Sequence, residues 1–362
     1  MHIRRIVIAA LLLAICRPAG AGAQPAAGID AHQTLTVGTA TAHRGEKVSG
    51  VIHVPAGSDA ALDIPVVVVN GARPGPVLAL VAGLHGTEYA SIIALERLIG
   101  RLDPADISGS VIVVPLVNVP SFEQIVPHVN PTDHKSMNGF YPGRADGTQT
   151  DRASYAMTQQ VVAQCDYLID LHGGDIDENL RPYSYWTTTG RADEDRVSRE
   201  MLLAFGVDHI IIANDWPKDP SASRYLDNTA LTRGKPSIAV EAGHSGTVEP
   251  DDVNLLAGGC ERVMQYLHML PGTVHPIEHP VWIDNVLSVT GAQPGMFYPL
   301  VARGTYVANG MRVGYVTDFV GHTVQDVRAP AAGVVMFIRA VPSVAKGSTL
   351  IDVGIVGTGP QP

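Results

Sequence analysis

The chain has 362 residues, of which 46% are hydrophobic and 17% are charged. This length and composition exclude a disordered chain and allow one large domain, or one domain with a smaller companion. The formal net charge of −10 at pH 7 disfavours binding to nucleic acid or to an anionic membrane surface.

The first residues have the pattern of an export signal. Residues 1–5 are basic, residues 6–15 are apolar, and Ala21-Gly22-Ala23 is typical of a cleavage site. We therefore predict a signal peptide over residues 1–23 and an exported protein, either periplasmic or secreted. Removal of the signal peptide would take away three arginines and shift the net charge from −10 to −13. The apolar run is too short for a bilayer, so we expect no membrane span.

The next part of the chain predicts an α/β fold. Short strands fill residues 30–70, and from there to about residue 270 apolar strands alternate with helices. The strand candidates are 77–83, 111–117, 167–172, 209–213 and 236–242. This alternation predicts a mainly parallel, twisted sheet with helices on both faces. The segment 118–151 is rich in proline and glycine and has little periodicity, which is typical of a functional loop.

The pattern changes after residue 273 to short strands with frequent glycine and little helix. We expect a main α/β domain over residues 24–273 and a small β domain over residues 274–362. The second domain resembles a biotinyl or lipoyl-like fold, but residues 317–327, which would form its central hairpin, contain no lysine to carry a cofactor. A structural cap or an assembly surface is the expected role.

Two candidate metal ligands follow the first strand of the alternating region. In His85-Gly86-Thr87-Glu88, the histidine lies in the turn between strand and helix, and Glu88 lies in the first helical turn. Both side chains are expected to point the same way. A catalytic zinc needs three protein ligands and one open position, so a third ligand must come from elsewhere in the chain.

The ends of two other strands supply further candidates. The strand 167–172 ends in His172, and the strand 236–242 carries Glu241 near its end. Because the carboxyl ends of parallel strands meet at one edge of a sheet, we expect His85, His172 and Glu241 to converge there. Asp170, two residues before His172 on the same strand face, is expected to accept the imidazole N–H.

Four motifs together resemble the succinylglutamate desuccinylase and aspartoacylase family, relatives of the zinc carboxypeptidases. They are Gly83-Leu84-His85-Gly86-Thr87-Glu88, Asn138 with Tyr141-Pro142-Gly143, Asp170-Leu171-His172, and Glu241-Ala242-Gly243. The resemblance implies a zinc carboxypeptidase-like catalytic domain with one Zn²⁺ held by His85, Glu88 and His172. It also implies that Glu241 is the general base and proton shuttle. The implied reaction is hydrolysis of an amide in a small N-acylated amino acid or amine.

The chain departs from the family where a substrate carboxylate would bind. Gly139 stands where an arginine is expected after Asn138, and His128 stands where a second arginine is expected. Neither replacement offers the guanidinium fork that grips a carboxylate. We predict Asn138, His128 and the nearby Arg144 as substrate contacts, and a substrate outside the acidic amino-acid derivatives.

Other functions remain open at this stage. A zinc carboxypeptidase or a cell-wall peptide-trimming peptidase would use the same ligands in a wider groove. A non-catalytic metal-binding homologue would lack a base, and Glu241 argues against it. No G-x-S-x-G elbow and no G-x-G-x-x-G after a strand occur, which disfavours a serine hydrolase and a dinucleotide enzyme.

The expected partner is a small acylated molecule, and a homo-oligomer is possible. The sequence does not decide whether Cys165 and Cys260 are paired.

Overall fold

The structure, a computed structural model, describes residues 32–214 and 217–360. The signal peptide predicted over residues 1–23 lies outside the described residues. Within the described ranges, no helix is both long enough and apolar enough to cross a membrane.

The first half of the chain contains four N-terminal strands and then alternating helices and strands. Its elements are β1 (Thr34–Val37), β2 (Ala40–His43), β3 (Glu46–Val54), β4 (Leu62–Asn70), β5 (Arg73–Ala82), α1 (Tyr89–Arg101), β6 (Ser108–Val114), α2 (Val119–Gln124), α3 (Gln149–Met157) and β7 (Tyr167–His172).

The second half continues the alternation and ends in strands. Its elements are β8 (Glu178–Leu180), β9 (Tyr183–Thr187), α4 (Ala192–Phe205), β10 (His209–Ala213), α5 (Leu226–Leu231), β11 (Ser237–Glu241), α6 (Pro250–Tyr266), β12 (Val281–Thr290), β13 (Gly295–Pro299), β14 (Tyr306–Val307), β15 (Arg312–Thr317), β16 (Thr323–Arg328), β17 (Gly333–Arg339), β18 (Ser343–Val344) and β19 (Thr349–Val356).

Most of these strands belong to one mixed sheet of thirteen strands. Its order is β14-β17-β19-β12-β10-β9-β11-β7-β5-β6-β4-β3, and β8 pairs with β17. The strands β6, β5, β7 and β11 form one parallel group, and β9, β10 and β12 form another. The two groups meet at the antiparallel pair of β9 and β11. The predicted α/β class is confirmed, whereas the sheet is mixed and not mainly parallel. An apolar run predicts a buried strand but not its direction.

The side chains of β5 alternate between two hydrophobic clusters. The even-numbered residues of 78–82 pack with residues of α1, α4 and α6. The odd-numbered residues of 77–81 pack with residues of α3, α5 and the strands β1 to β3. Burial on both sides explains why the run is continuously apolar.

The residues predicted as a C-terminal β domain enter two sheets. The strands β12, β14, β17 and β19 extend the thirteen-stranded sheet, while β13, β15, β16 and β18 form a four-stranded sheet. The pairing of β8 with β17 brings the C-terminal strands against the segment that follows β7. In the core, Cys165 and Cys260 are buried and free, so they do not form a disulfide with each other.

A polar cluster around Asp151 holds the end of the long segment 118–151. The Asp151 carboxylate accepts hydrogen bonds from the backbone N–H and the hydroxyl of Thr148, each at 3.0 Å, and from Nζ of Lys135 at 2.6 Å. Burial opposes ionisation, but the donors from Lys135 and Thr148 lower the pKa of Asp151 below its ordinary value.

We predict that Asp151→Asn lowers the free energy of unfolding at pH 7 by about 1–3 kcal/mol, because it replaces a charged acceptor with a neutral one and removes the carboxylate partner of Lys135. A carboxyl with a depressed pKa stabilises the fold above its ordinary pKa of about 4, and this stabilisation is lost as pH falls through the lowered value. Urea unfolding at pH 7 and at pH 3 measures both effects, and the difference between wild type and variant should be smaller at the lower pH. Asp146→Asn, at an exposed position, is the control. Equal destabilisation at both pH values would contradict the assignment.

Candidate active site

The turn after β5 presents His85 and Glu88. Gly83 has a φ of 68°, a left-handed conformation that favours glycine. A side chain at Gly86 would meet the backbone nitrogen of Phe122 at 2.3 Å, so the turn packs tightly against α2. The helix α1 begins at Tyr89, directly after Glu88.

The side chains of His85, Glu88 and His172 form a compact cluster. Oε1 of Glu88 lies 2.7 Å from Nδ1 of His85, and Oε2 lies 3.0 Å from Nδ1 of His172. One potential ligand atom from each residue lies within 4.8 Å of the others. The fold thus brings together the three residues that the sequence indicated as metal ligands.

The buried Glu88 carboxylate and the two imidazoles interact favourably with each other. Burial opposes a charge on Glu88, but the imidazoles of His85 and His172 lower the pKa of Glu88 to about 2. Burial likewise opposes a charge on His172, and the carboxylates of Asp170 and Glu88 raise the pKa of His172 well above its ordinary value. The ligand atoms are therefore held in place by their mutual attraction.

Three further side chains surround the two imidazoles. Nε2 of His85 lies 3.1 Å from Oγ of Ser136, and Nε2 of His172 lies 3.3 Å from Nδ2 of Asn138. Oδ1 of Asp170 also lies 3.3 Å from Nε2 of His172, yet this buried oxygen has no hydrogen-bond partner. An imidazole that binds a cation through Nδ1 keeps its proton on Nε2, next to this oxygen. The residues therefore fit a bound metal ion.

Glu241 lies beside the cluster because of the strand register. The pairing of β11 with β7 sets Glu241 opposite His172, at the carboxyl ends of two parallel strands. Burial and the carboxylates of Glu88 and Glu178 raise the pKa of Glu241 well above its ordinary value, although His172 lowers it.

A cavity of about 190 Å³ gives access to these groups. It is lined by His85, Glu88, His128, Glu178, Leu180, Tyr183, Glu241, Phe337, Thr349 and Asp352. Four of these residues are acids. Phe337 belongs to β17, and Thr349 and Asp352 belong to β19. The C-terminal strands therefore form part of the cavity wall, a position that their sequence pattern does not indicate.

Of the three residues predicted to contact substrate, His128 lines the cavity, Asn138 lies beside the metal-ligand candidate His172, and Arg144 lies outside the described lining. His128 lines the cavity, but its Nε2 lies 2.8 Å from Oδ1 of Asp177 and its Nδ1 lies 3.3 Å from Oδ2 of Asp175. Burial opposes protonation, but these two carboxylates raise the pKa of His128 to about 9. Arg144 is exposed and has Asp146 at 4.0 Å, and it is absent from the described cavity lining. Asn138 contacts the ring of His172, as described above.

Glu178, Tyr183 and Asp352 also line the cavity, and the sequence did not indicate them. Burial and the charge of Glu88 raise the pKa of Glu178 to about 7. Glu178 and Tyr183 belong to the short strands β8 and β9. Asp352 belongs to β19, near the end of the chain and far from His172 in sequence. The sequence has carboxylates shortly after His172 that could have indicated a residue of the site. Sequence position alone does not distinguish Glu178 from Asp175 or Asp177.

A His–Glu–His cluster and a carboxylate at the strand ends of an α/β sheet are typical of metal-dependent hydrolases. The sequence model of the succinylglutamate desuccinylase/aspartoacylase catalytic domain matches residues 74–267. The chain belongs to this family.

Individual relatives agree with this assignment. The N-alpha-acetyl-L-2,4-diaminobutyric acid deacetylase of Halomonas elongata is 29% identical over 311 residues, which is 83% of this chain and 89% of the relative. The solved succinylglutamate desuccinylase/aspartoacylase from Rhodobacter sphaeroides has a TM-score of 0.77 at 21% identity, with 86% of this chain and 96% of that chain covered. The product-bound ectoine utilization protein EutE (DoeB) from Ruegeria pomeroyi has a TM-score of 0.76 at 22% identity, with 85% and 95% covered. At these identities, both structures show a shared fold.

Proposed function

We propose that the protein is a zinc-dependent amidohydrolase that deacylates a small N-acylated amino acid or amine. The observation that carries the proposal is the cluster of His85, Glu88 and His172 with ligand atoms within 4.8 Å, beside Glu241. Family membership supports a hydrolase, and the Halomonas relative, which is a deacetylase, supports the reaction class. Export remains part of the proposal and rests on residues 1–23.

His85, Glu88 and His172 would hold the metal. Two imidazole nitrogens and one carboxylate are a donor set of catalytic zinc sites. When bound, zinc polarises the scissile carbonyl and lowers the pKa of a water molecule. Asp170 would orient the ring of His172 from behind.

Glu241 would move the proton. From its position beside His172, its carboxylate takes a proton from the attacking water and gives it to the leaving nitrogen, as general base and then general acid. Burial and the nearby carboxylates raise the pKa of Glu241, so its carboxylate has a higher affinity for the proton that it takes from the water.

The cavity supports a deacylase over a peptidase. The space of about 190 Å³ beside the ligand cluster, bounded by β17 and β19, suits a small acyl group better than the residues of a peptide chain. No arginine is among the described residues that line it, and both ring nitrogens of His128 already face Asp175 and Asp177. We therefore infer that the substrate is neutral or cationic near the metal.

The metal assignment predicts about one zinc per chain in the purified protein. His85→Ala, Glu88→Ala and His172→Ala each remove one ligand, so each variant should lose most of its zinc. Elemental analysis after dialysis measures the content, and His53→Ala, an exposed histidine that pairs with Asp63, should leave it unchanged. Full zinc content in all three site variants would refute the assignment.

The role of Glu241 predicts that Glu241→Gln retains zinc while turnover falls by at least about a hundredfold, because glutamine cannot accept the proton. Steady-state kinetics on a substrate found by screening N-acyl amino acids and N-acyl amines measures the loss. Glu249→Gln, at an exposed position before α6, should keep wild-type turnover. Near-normal turnover of zinc-loaded Glu241→Gln would place the base elsewhere.

The absence of arginine from the described lining predicts poor turnover of acidic substrates. Each charged hydrogen bond between an arginine and a substrate carboxylate contributes roughly 1.5 to 3 kcal/mol. Without the two arginines expected from the family, kcat/KM for an acidic substrate should be lower by several orders of magnitude. N-acetylaspartate and N-succinylglutamate should therefore be cleaved far less efficiently than uncharged or basic N-acyl compounds. If the acidic pair proves best and Arg144→Ala abolishes that preference, Arg144 is the carboxylate ligand and the prediction is wrong.

A further inference from the structure

A second cavity adjoins the one at the metal ligands. It has a volume of about 340 Å³ and lies against β9, β10, β12, β17 and β19. Three residues, Tyr183, Phe337 and Asp352, line both cavities. A molecule whose acyl end occupies the first cavity can therefore extend past these three side chains into the second.

The lining of the second cavity is acidic. Asp352 lies at the junction and Asp284 lies at an exposed position, and none of the described lining residues is basic. The arginine two residues beyond Phe337, Arg339, is held by Asp177 at 2.9 Å and by the carbonyl oxygen of Thr349 at 2.9 Å. It is thus committed to other partners.

Asp352 has an unused hydrogen-bonding position. Its Oδ1 atom is buried and has no partner. A buried carboxylate oxygen without a donor costs free energy unless a ligand supplies one. The rings of Tyr183 and Tyr185, which line the same cavity, meet edge to face with centroids 5.4 Å apart. Aromatic faces near a carboxylate also attract ammonium groups.

We propose that the amine part of the substrate extends into this second cavity and carries a primary ammonium group that pairs with Asp352. The substrate class is then a mono-N-acylated diamine with a flexible carbon chain between its two nitrogen atoms. This inference rests on the proposed function, because the acyl end must lie at the metal ligands.

Two substrates of equal length test the pairing. N-acetyl-1,4-diaminobutane carries the ammonium group, and N-pentylacetamide replaces it with a methyl group. Zinc-loaded wild type should have at least a tenfold higher kcat/KM for the ammonium substrate, mainly through a lower KM. Asp352→Asn should abolish the preference while N-pentylacetamide is still cleaved, and Asp352→Glu should restore part of it. Asp326→Asn, an exposed acid on β16, should keep the preference.

A binding measurement separates this inference from the proposed function. Calorimetric titration of the Glu241→Gln protein should give at least a tenfold lower Kd for N-acetyl-1,4-diaminobutane than for N-pentylacetamide, and adding Asp352→Asn should remove the difference. Equal binding and equal cleavage of the two amides overturn the ammonium subsite but not the hydrolase. Charge-dependent binding without hydrolysis of either amide overturns the hydrolase and leaves the subsite. If binding does not depend on the charge and neither amide is hydrolysed, both the ammonium subsite and the hydrolase are overturned.

Discussion

The attraction between the buried carboxylate of Glu88 and the imidazoles of His85 and His172 is the interaction on which the site depends. Each of these groups would be costly to bury alone, and together they stabilise one another. Oε2 of Glu88 also accepts the backbone N–H of Gly173 at 3.0 Å. The carboxylate therefore links the turn after β5 to the turn after β7, and it holds the two imidazoles close together.

The C-terminal strands complete this arrangement because the large sheet is continuous. The register of β8 with β17 pairs Leu180 with Phe337, and the backbone N–H of Ala340 donates to the carbonyl oxygen of Asp177 at 2.9 Å. The ion pair of Arg339 with Asp177 adds a second link. These contacts hold Phe337 and, on the adjacent strand, Asp352 in the lining of the cavity beside His85 and Glu88. These strands belong to the region predicted from the sequence as a C-terminal β domain, and they form a wall of the cavity.

The charge balance of the cavity determines which molecules suit it. Four acids line it, and the positive charge of His128 is neutralised by Asp175 and Asp177. Asp352 lines both this cavity and the second one. An anionic side chain would meet these acids without a guanidinium to hold it, whereas a cationic chain would find a partner.

The sequence by itself determined the α/β class, the strands that carry the site and the residues at their ends. These features depend on local pattern, since a strand buried on both faces must be apolar and a polar residue at its end has a function to serve. Only the tertiary structure decided that β9 pairs antiparallel with β11 and that Arg144 is exposed. It also decided that both ring nitrogens of His128 face carboxylates, and that Glu178 and Asp352 line the cavity. Each of these depends on pairing between segments far apart in the chain, and the pattern of a strand does not specify its partner or its direction.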